Sequence, residues 1–70
     1  MPIFLAPPNE EFTIVHVHGV DEQTRHLRDI GLVEGAKVRV LSKKGKSVIV
    51  ALGNSRIALD SSISSRIMVG

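Results

Sequence analysis

Three short segments in the second half of the chain alternate apolar and polar residues with a period of two, and glycine-bearing turns separate them. Val38 and Val40 share one side of the first, Val48, Val50 and Leu52 of the second, and Ile57 and Leu59 of the third. Such one-sided alternation belongs to strands with a single buried face. Lys43-Lys44-Gly45-Lys46 reads as a hairpin loop with its glycine in place, and Gly53-Asn54 turns the chain again. In the first segment Lys37, Arg39 and Leu41 fall on the opposite, outward side.

The first half of the chain supplies what must pack on these strands. Pro7-Pro8-Asn9 closes a lead-in, and Glu11 to His18 is rich in β-branched and aromatic residues, so it predicts a strand that Gly19 ends. Asp21 to Gly31 is the one helical stretch. Asp21 caps its first turn, Gly31 takes the left-handed conformation after its last, and Leu27 then packs on Leu32 across the ending. Leu27 and Ile30 are expected to face the core, with Arg25, Arg28 and Asp29 outward. Two turns of helix with so few apolar positions do not persist alone and have to dock. Asp60-Ser61-Ser62-Ile63 reads as a capped single turn, and Arg66 to Val69 as a short last strand. The sum is a mostly β fold, a small five-stranded barrel with one short helix inserted after the first strand, which hides the sheet edges. A chain of 70 residues cannot divide its apolar residues between two cores, so residues 1–70 form one domain.

Composition narrows the function classes. No cysteine is present, which excludes disulfides and points to a reducing, cytoplasmic compartment. No apolar run approaches the roughly 18 residues that span a bilayer, so no membrane insertion is expected. The Pro-rich N-terminus lacks the basic start of a signal peptide. The seven carboxylates are scattered, and no nucleophile elbow, phosphate loop or dinucleotide fingerprint occurs, so the chain is expected to be no enzyme and to carry no cofactor. His16 and His18 share one side of the first strand and could face one metal ion, with His26 the one further imidazole. Spacing fixes no third ligand, so the expectation is two solvent-facing histidines and no metal site. Lys43, Lys44 and Lys46 are the densest basic cluster, but Phe4 and Phe12 are the only rings on which bases could stack. A net charge of +2 permits an acidic partner without demanding a nucleic acid. Val33, Leu41 and Met68 either form an exposed apolar patch or cover the barrel beneath the N-terminal segment.

The run Arg25-His26-Leu27-Arg28-Asp29-Ile30-Gly31-Leu32-Val33-Glu34-Gly35-Ala36-Lys37-Val38-Arg39-Val40 closely resembles the signature of the ferrous iron transport protein A (FeoA) family. Asn54-Ser55-Arg56-Ile57-Ala58-Leu59-Asp60 and the ending Ser65-Arg66-Ile67-Met68-Val69 share the likeness, which spans Pro2 to Val69. The resemblance implies an SH3-like barrel and a small cytosolic accessory of the bacterial ferrous iron transporter (FeoB), a membrane protein with a cytosolic G-protein domain. It carries over no catalytic residue and no metal ligand. Where many members have a longer Pro-Leu-Gly-Asp-Pro loop, this chain has only Lys43-Lys44-Gly45-Lys46. The same fold closes the iron- and manganese-dependent repressors related to the diphtheria toxin repressor. An adaptor for such a repressor is therefore the second reading, and a weak nucleic-acid-binding barrel the third. For the transporter reading, the helix end and the following turn are the expected contact. Leu32 would be its scaffold and Val33, Arg28 and Arg39 the contacting side chains. A free edge beside the last strand leaves both a monomer and a weak dimer open.

Overall fold

A computed structural model describes residues 1–70. After a 3-10 turn at Ile3–Leu5 come β1 (Glu11–Val17), α1 (Glu22–Asp29), β2 (Lys37–Lys44), β3 (Ser47–Leu52), β4 (Ser55–Leu59), α2 (Ser61–Ser64) and β5 (Ile67–Val69). All strand pairs are antiparallel, in the order β4-β3-β2-β1-β5. Every strand contributes to one core of 12 buried apolar residues, among them Ile14, Val38, Val40, Val48, Val50, Leu59, Ile67 and Val69. The sheet therefore wraps around its apolar face, and Ile3, Ala6, Leu27 and Leu32 fill the space it encloses. The mostly β architecture with a short helix after the first strand is the one the alternation predicts.

Two bulges decide which side chains face in. Along β1 the pairing runs Ile14 with Val69 and then His16 with Met68, so Val15 is an extra residue and lies exposed. Strict alternation would have sent His16 to the side of Ile14. The bulge turns Val17 toward the core instead and puts His16 and His18 outside. Along β2, Val40 pairs with Val50 and Ser42 with Ile49, which makes Leu41 the extra residue and leaves it half-buried. Lys43 then lies opposite buried Val48, and its ammonium donates to the Phe4 carbonyl at 3.1 Å.

Helix α1 begins and ends as its residues dictate. Asp21 Oδ1 accepts the Thr24 N–H at 3.1 Å. At the other end Leu32 N–H donates to the Leu27 carbonyl at 2.9 Å and Gly31 N–H to that of Arg28 at 3.1 Å, with Gly31 at φ +99°. This is the doubly bonded ending that pairs Leu27 with Leu32. Ile30 departs from expectation, since it is 39% exposed. The buried residues of the helix are Thr24 and Leu27, and Ile30 lies about 90° around the axis from their midline. Thr24, which the apolar pattern passes over, is buried with its hydroxyl against Asp21 Oδ1 at 3.1 Å.

The N-terminal segment covers the flank of the last strand. Pro2 bridges Met68, and Val69 N–H donates to the Met1 carbonyl at 2.7 Å. The edge beside β5, expected to be free, is thus occupied by the chain's own start, which runs alongside Met68. Val33, Leu41 and Met68 are each half-buried.

Removing side-chain carbons at Leu27 leaves a cavity under the helix as well as losing buried area. Leu27→Ala is expected to lower the unfolding free energy by about 2–5 kcal/mol in urea titrations. A loss near zero would mean that α1 is held by something else. A second outcome concerns acid. Arg66 Nη1 reaches both carboxylate oxygens of Asp21, at 2.8 and 3.0 Å, tying the start of β5 to the cap of α1. That guanidinium, helped by the Thr24 N–H, lowers the Asp21 carboxyl to about 2 from the usual 3.8. A depressed carboxylate contributes stability that is complete above the unfolded value and fades as pH falls toward the folded one. The stability gap between the protein and Asp21→Asn should therefore be steady above pH 5 and close between about pH 4 and 2 in thermal melts. A gap that persists at pH 2 would assign it to shape rather than charge.

Candidate functional site

The turn that follows α1 is fixed from both ends. Gly35, at φ +91°, donates its N–H to the Ile14 carbonyl at 2.8 Å, and Ala36 N–H donates to Val33 at 3.0 Å. Together with the helix ending, these bonds anchor Gly31 to Ala36 between α1 and β1. Leu32, 1% exposed, drops into the core as scaffold, while Val33 stays half-buried at the surface.

Above Leu32 lies an open cleft of about 340 Å³ lined by Val17, Thr24, Arg28, Leu32, Val33 and Glu34. Val17, Leu32 and Val33 give it three apolar positions, and Thr24, Arg28 and Glu34 three polar ones. Glu34 is engaged, since its Oε1 lies 3.1 Å from His16 Nδ1. A carboxylate can only accept, so Nδ1 carries the proton in this bond and Nε2 points elsewhere. Arg28 pairs with no carboxylate; the guanidinium that does is Arg66, on Asp21. The scaffold Leu32 and two of the three expected contact residues, Arg28 and Val33, thus converge on this cleft. Arg39 does not join them. It stands on β2 opposite Glu11 and Ala51 and opens onto a separate depression with Lys37 and Gly53.

His16 and His18 do lie on one side, their ring centroids 4.5 Å apart and edge-on at 83°. No group of three His, Cys, Asp or Glu side chains is gathered closely enough to hold a metal ion. His26, the one further imidazole, faces a different surface: a groove between α1 and β4 lined by Leu27, Ile30, Ile57, Leu59 and Ile63 among others. The sequence reading missed this groove because it placed Ile30 in the core. The helical phase of Ile30 relative to Thr24 was the available signal. Two imidazoles alone hold zinc weakly compared with a four-ligand site. Equimolar zinc is accordingly expected to leave the melting temperature unchanged; a rise that disappears in His16→Ala would establish a metal site here.

The FeoA domain family matches residues 1–70. Among solved structures, an iron uptake regulatory protein, FeoA, is 26% identical with a TM-score of 0.87, over 99% of this chain and 93% of its own. The FeoA of Stenotrophomonas maltophilia, solved as a complex with zinc and described as a prokaryotic SH3 domain protein, is 30% identical. It superposes with a TM-score of 0.85 over 100% of this chain and 89% of its own. A manganese-dependent transcriptional repressor shares the fold alone, at 20% identity and a TM-score of 0.83, over 96% of this chain and 39% of its own. No curated protein matches. The five-stranded fold with its inserted helix is SH3-like, as the sequence anticipates.

Proposed function

This chain belongs to the FeoA family and has a role in ferrous iron transport, and we propose that it acts as a non-enzymatic cytoplasmic accessory, docking by its α1 cleft on the transporter's cytosolic G-protein domain. The observation that carries the docking site is the gathering of half-buried Val17 and Val33 beside an unpartnered Arg28. Val33 offers area to bury, and a guanidinium without a partner gains a charge-assisted, two-pronged bond when a carboxylate meets it. The turn is already immobilised by backbone bonds at both ends, so little ordering entropy opposes binding. Nothing in the cleft is arranged for bond chemistry. Its one carboxylate is held by His16, and its one hydroxyl, that of Thr24, lies against the helix cap. Arg39, on a separate depression, would reach the partner only across a wider interface.

The test is a binding titration against the G-protein domain and the full transporter, with and without guanine nucleotide. Val33→Asp and Arg28→Glu are each expected to weaken binding about tenfold or more, equivalent to about 1.4 kcal/mol. Both should still melt cooperatively, and Lys44→Ala should bind as the parent does. Binding unchanged in both cleft variants would remove the cleft from the interface. Absence of binding in every nucleotide state would shift the reading to a repressor partner, which the shared fold of the manganese-dependent repressor makes the next to try.

A further inference from the structure

The charges of this chain are segregated. From Lys37 to Leu59 the sequence holds six cations, Lys37, Arg39, Lys43, Lys44, Lys46 and Arg56, and no acid. All seven acids and the other three cations lie outside that stretch, so a +6 meander is joined to a remainder of −4. The near-neutral total of +2 hides this division. The meander folds into β2, β3 and β4, and its most basic point is the β2–β3 hairpin tip.

That tip is built against the N-terminal turn. Lys43 Nζ donates to the Phe4 carbonyl at 3.1 Å, and Lys46 Nζ stands 5.2 Å from the centre of the Phe4 ring. The β2 bulge sends Lys43 to the Phe4 side, while Lys44 pairs with Ser47 at the strand ends. Two ammonium groups therefore stand at the Phe4 turn, and Lys44 adds a third lysine at the same hairpin tip. The residue after Phe4 is Leu5, 58% exposed, and Ile49, 38% exposed, lines the depression that Lys44 borders. Asp60 lines the same depression, and its carboxylate is already engaged, accepting the Ser62 hydroxyl at 2.7 Å and the Ile63 N–H at 3.0 Å as the cap of α2.

We infer that this pole docks on an anionic phospholipid surface, with Leu5 entering the headgroup layer among the lysines. Lysine, a hydrated point charge on a flexible stem, suits a diffuse negative plane, whereas recognition of a single carboxylate favours the guanidinium fork. Lysine is also depleted in the cores of protein interfaces. A nucleic-acid surface would present rings for bases, but Phe4 is the sole ring at this pole and Lys46 stands over it. A protein with a role in ferrous iron transport works where a bilayer is at hand. The contact is peripheral, since no helix is long and apolar enough to cross a membrane. It uses a different face from the α1 cleft and would orient that cleft beside a membrane partner.

Flotation with vesicles of phosphatidylcholine, with and without phosphatidylglycerol, tests the inference. The protein should float only with vesicles containing phosphatidylglycerol, and less so as salt rises. Each lysine near an anionic surface is worth about fivefold in partitioning, so Lys44→Ala with Lys46→Ala should lower it about 30-fold. Leu5→Ser should lower it several-fold without altering the salt dependence. Lys44→Ala alone, away from Phe4, gives the fivefold loss if the double variant melts early. Equal flotation with both vesicles, none with either, or no change in the lysine variants would overturn the proposal. So would capture by soluble polyglutamate or duplex DNA at a salt concentration where vesicles fail. Val33→Asp should float as the parent does, so loss of the transporter contact and loss of the lipid contact are read separately.

Discussion

Everything in this fold depends on the contact that holds α1 to the sheet, the burial of Leu27 and Leu32 on either side of Gly31. A helix of eight residues has no independent stability in water. Leu27 within it and Leu32 just beyond it contribute roughly 1.5–3 kcal/mol each, and the two backbone bonds across Gly31 set the spacing at which both can be buried. Gly31 is required by its backbone conformation, and a side chain there would also press on Leu52. Its φ of +99° disfavours any side chain, and a Cβ there would meet Leu52 Cδ2 at 3.2 Å. The same ending dictates where the surface residues go. Once Leu32 is drawn into the core, Val33 and Glu34 must emerge beside the last turn of the helix, where Arg28 already stands. The cleft is thus a by-product of the packing that stabilises the fold, which is why its residues lie so close in sequence.

The strands, the caps of both helices and the Leu27–Leu32 ending were legible because each rests on chemistry within a few residues. The period-two runs sort Val38, Val40, Val48, Val50 and Leu59 to the interior without reference to any partner. Features that rest on distant pairing were not. The bulges at Val15 and Leu41 exist because two residues on one strand oppose one on the next, and only the neighbouring strand can decide that. Their effect on the surface is direct, since they turn His16 and His18 outward and bring Lys43 onto Phe4. Arg39 shows the same limit in reverse. Eleven residues from Arg28 in a run read as one motif, it is carried to another face by the strand it occupies.

The pairing of the two chain ends accounts for how so small a sheet manages its edges. β5 has only three residues, and one flank is paired to β1. Met1 and Pro2 lie along its other flank, through the bond from Val69 N–H and the bridge to Met68. An unpaired strand edge is a template for association, so this arrangement protects the strand where the barrel would otherwise be weakest. What remains open is β4, the other outermost strand, and it is short, with the exposed charge of Arg56 on it. Shortness and charge are the means by which sheets discourage edge pairing. The groove between β4 and α1 is apolar nonetheless, because Ile30 sits at the rim of a helix stripe only wide enough for Thr24 and Leu27. A helix this short cannot cover both the core and its own flank, and the exposed isoleucine is the consequence.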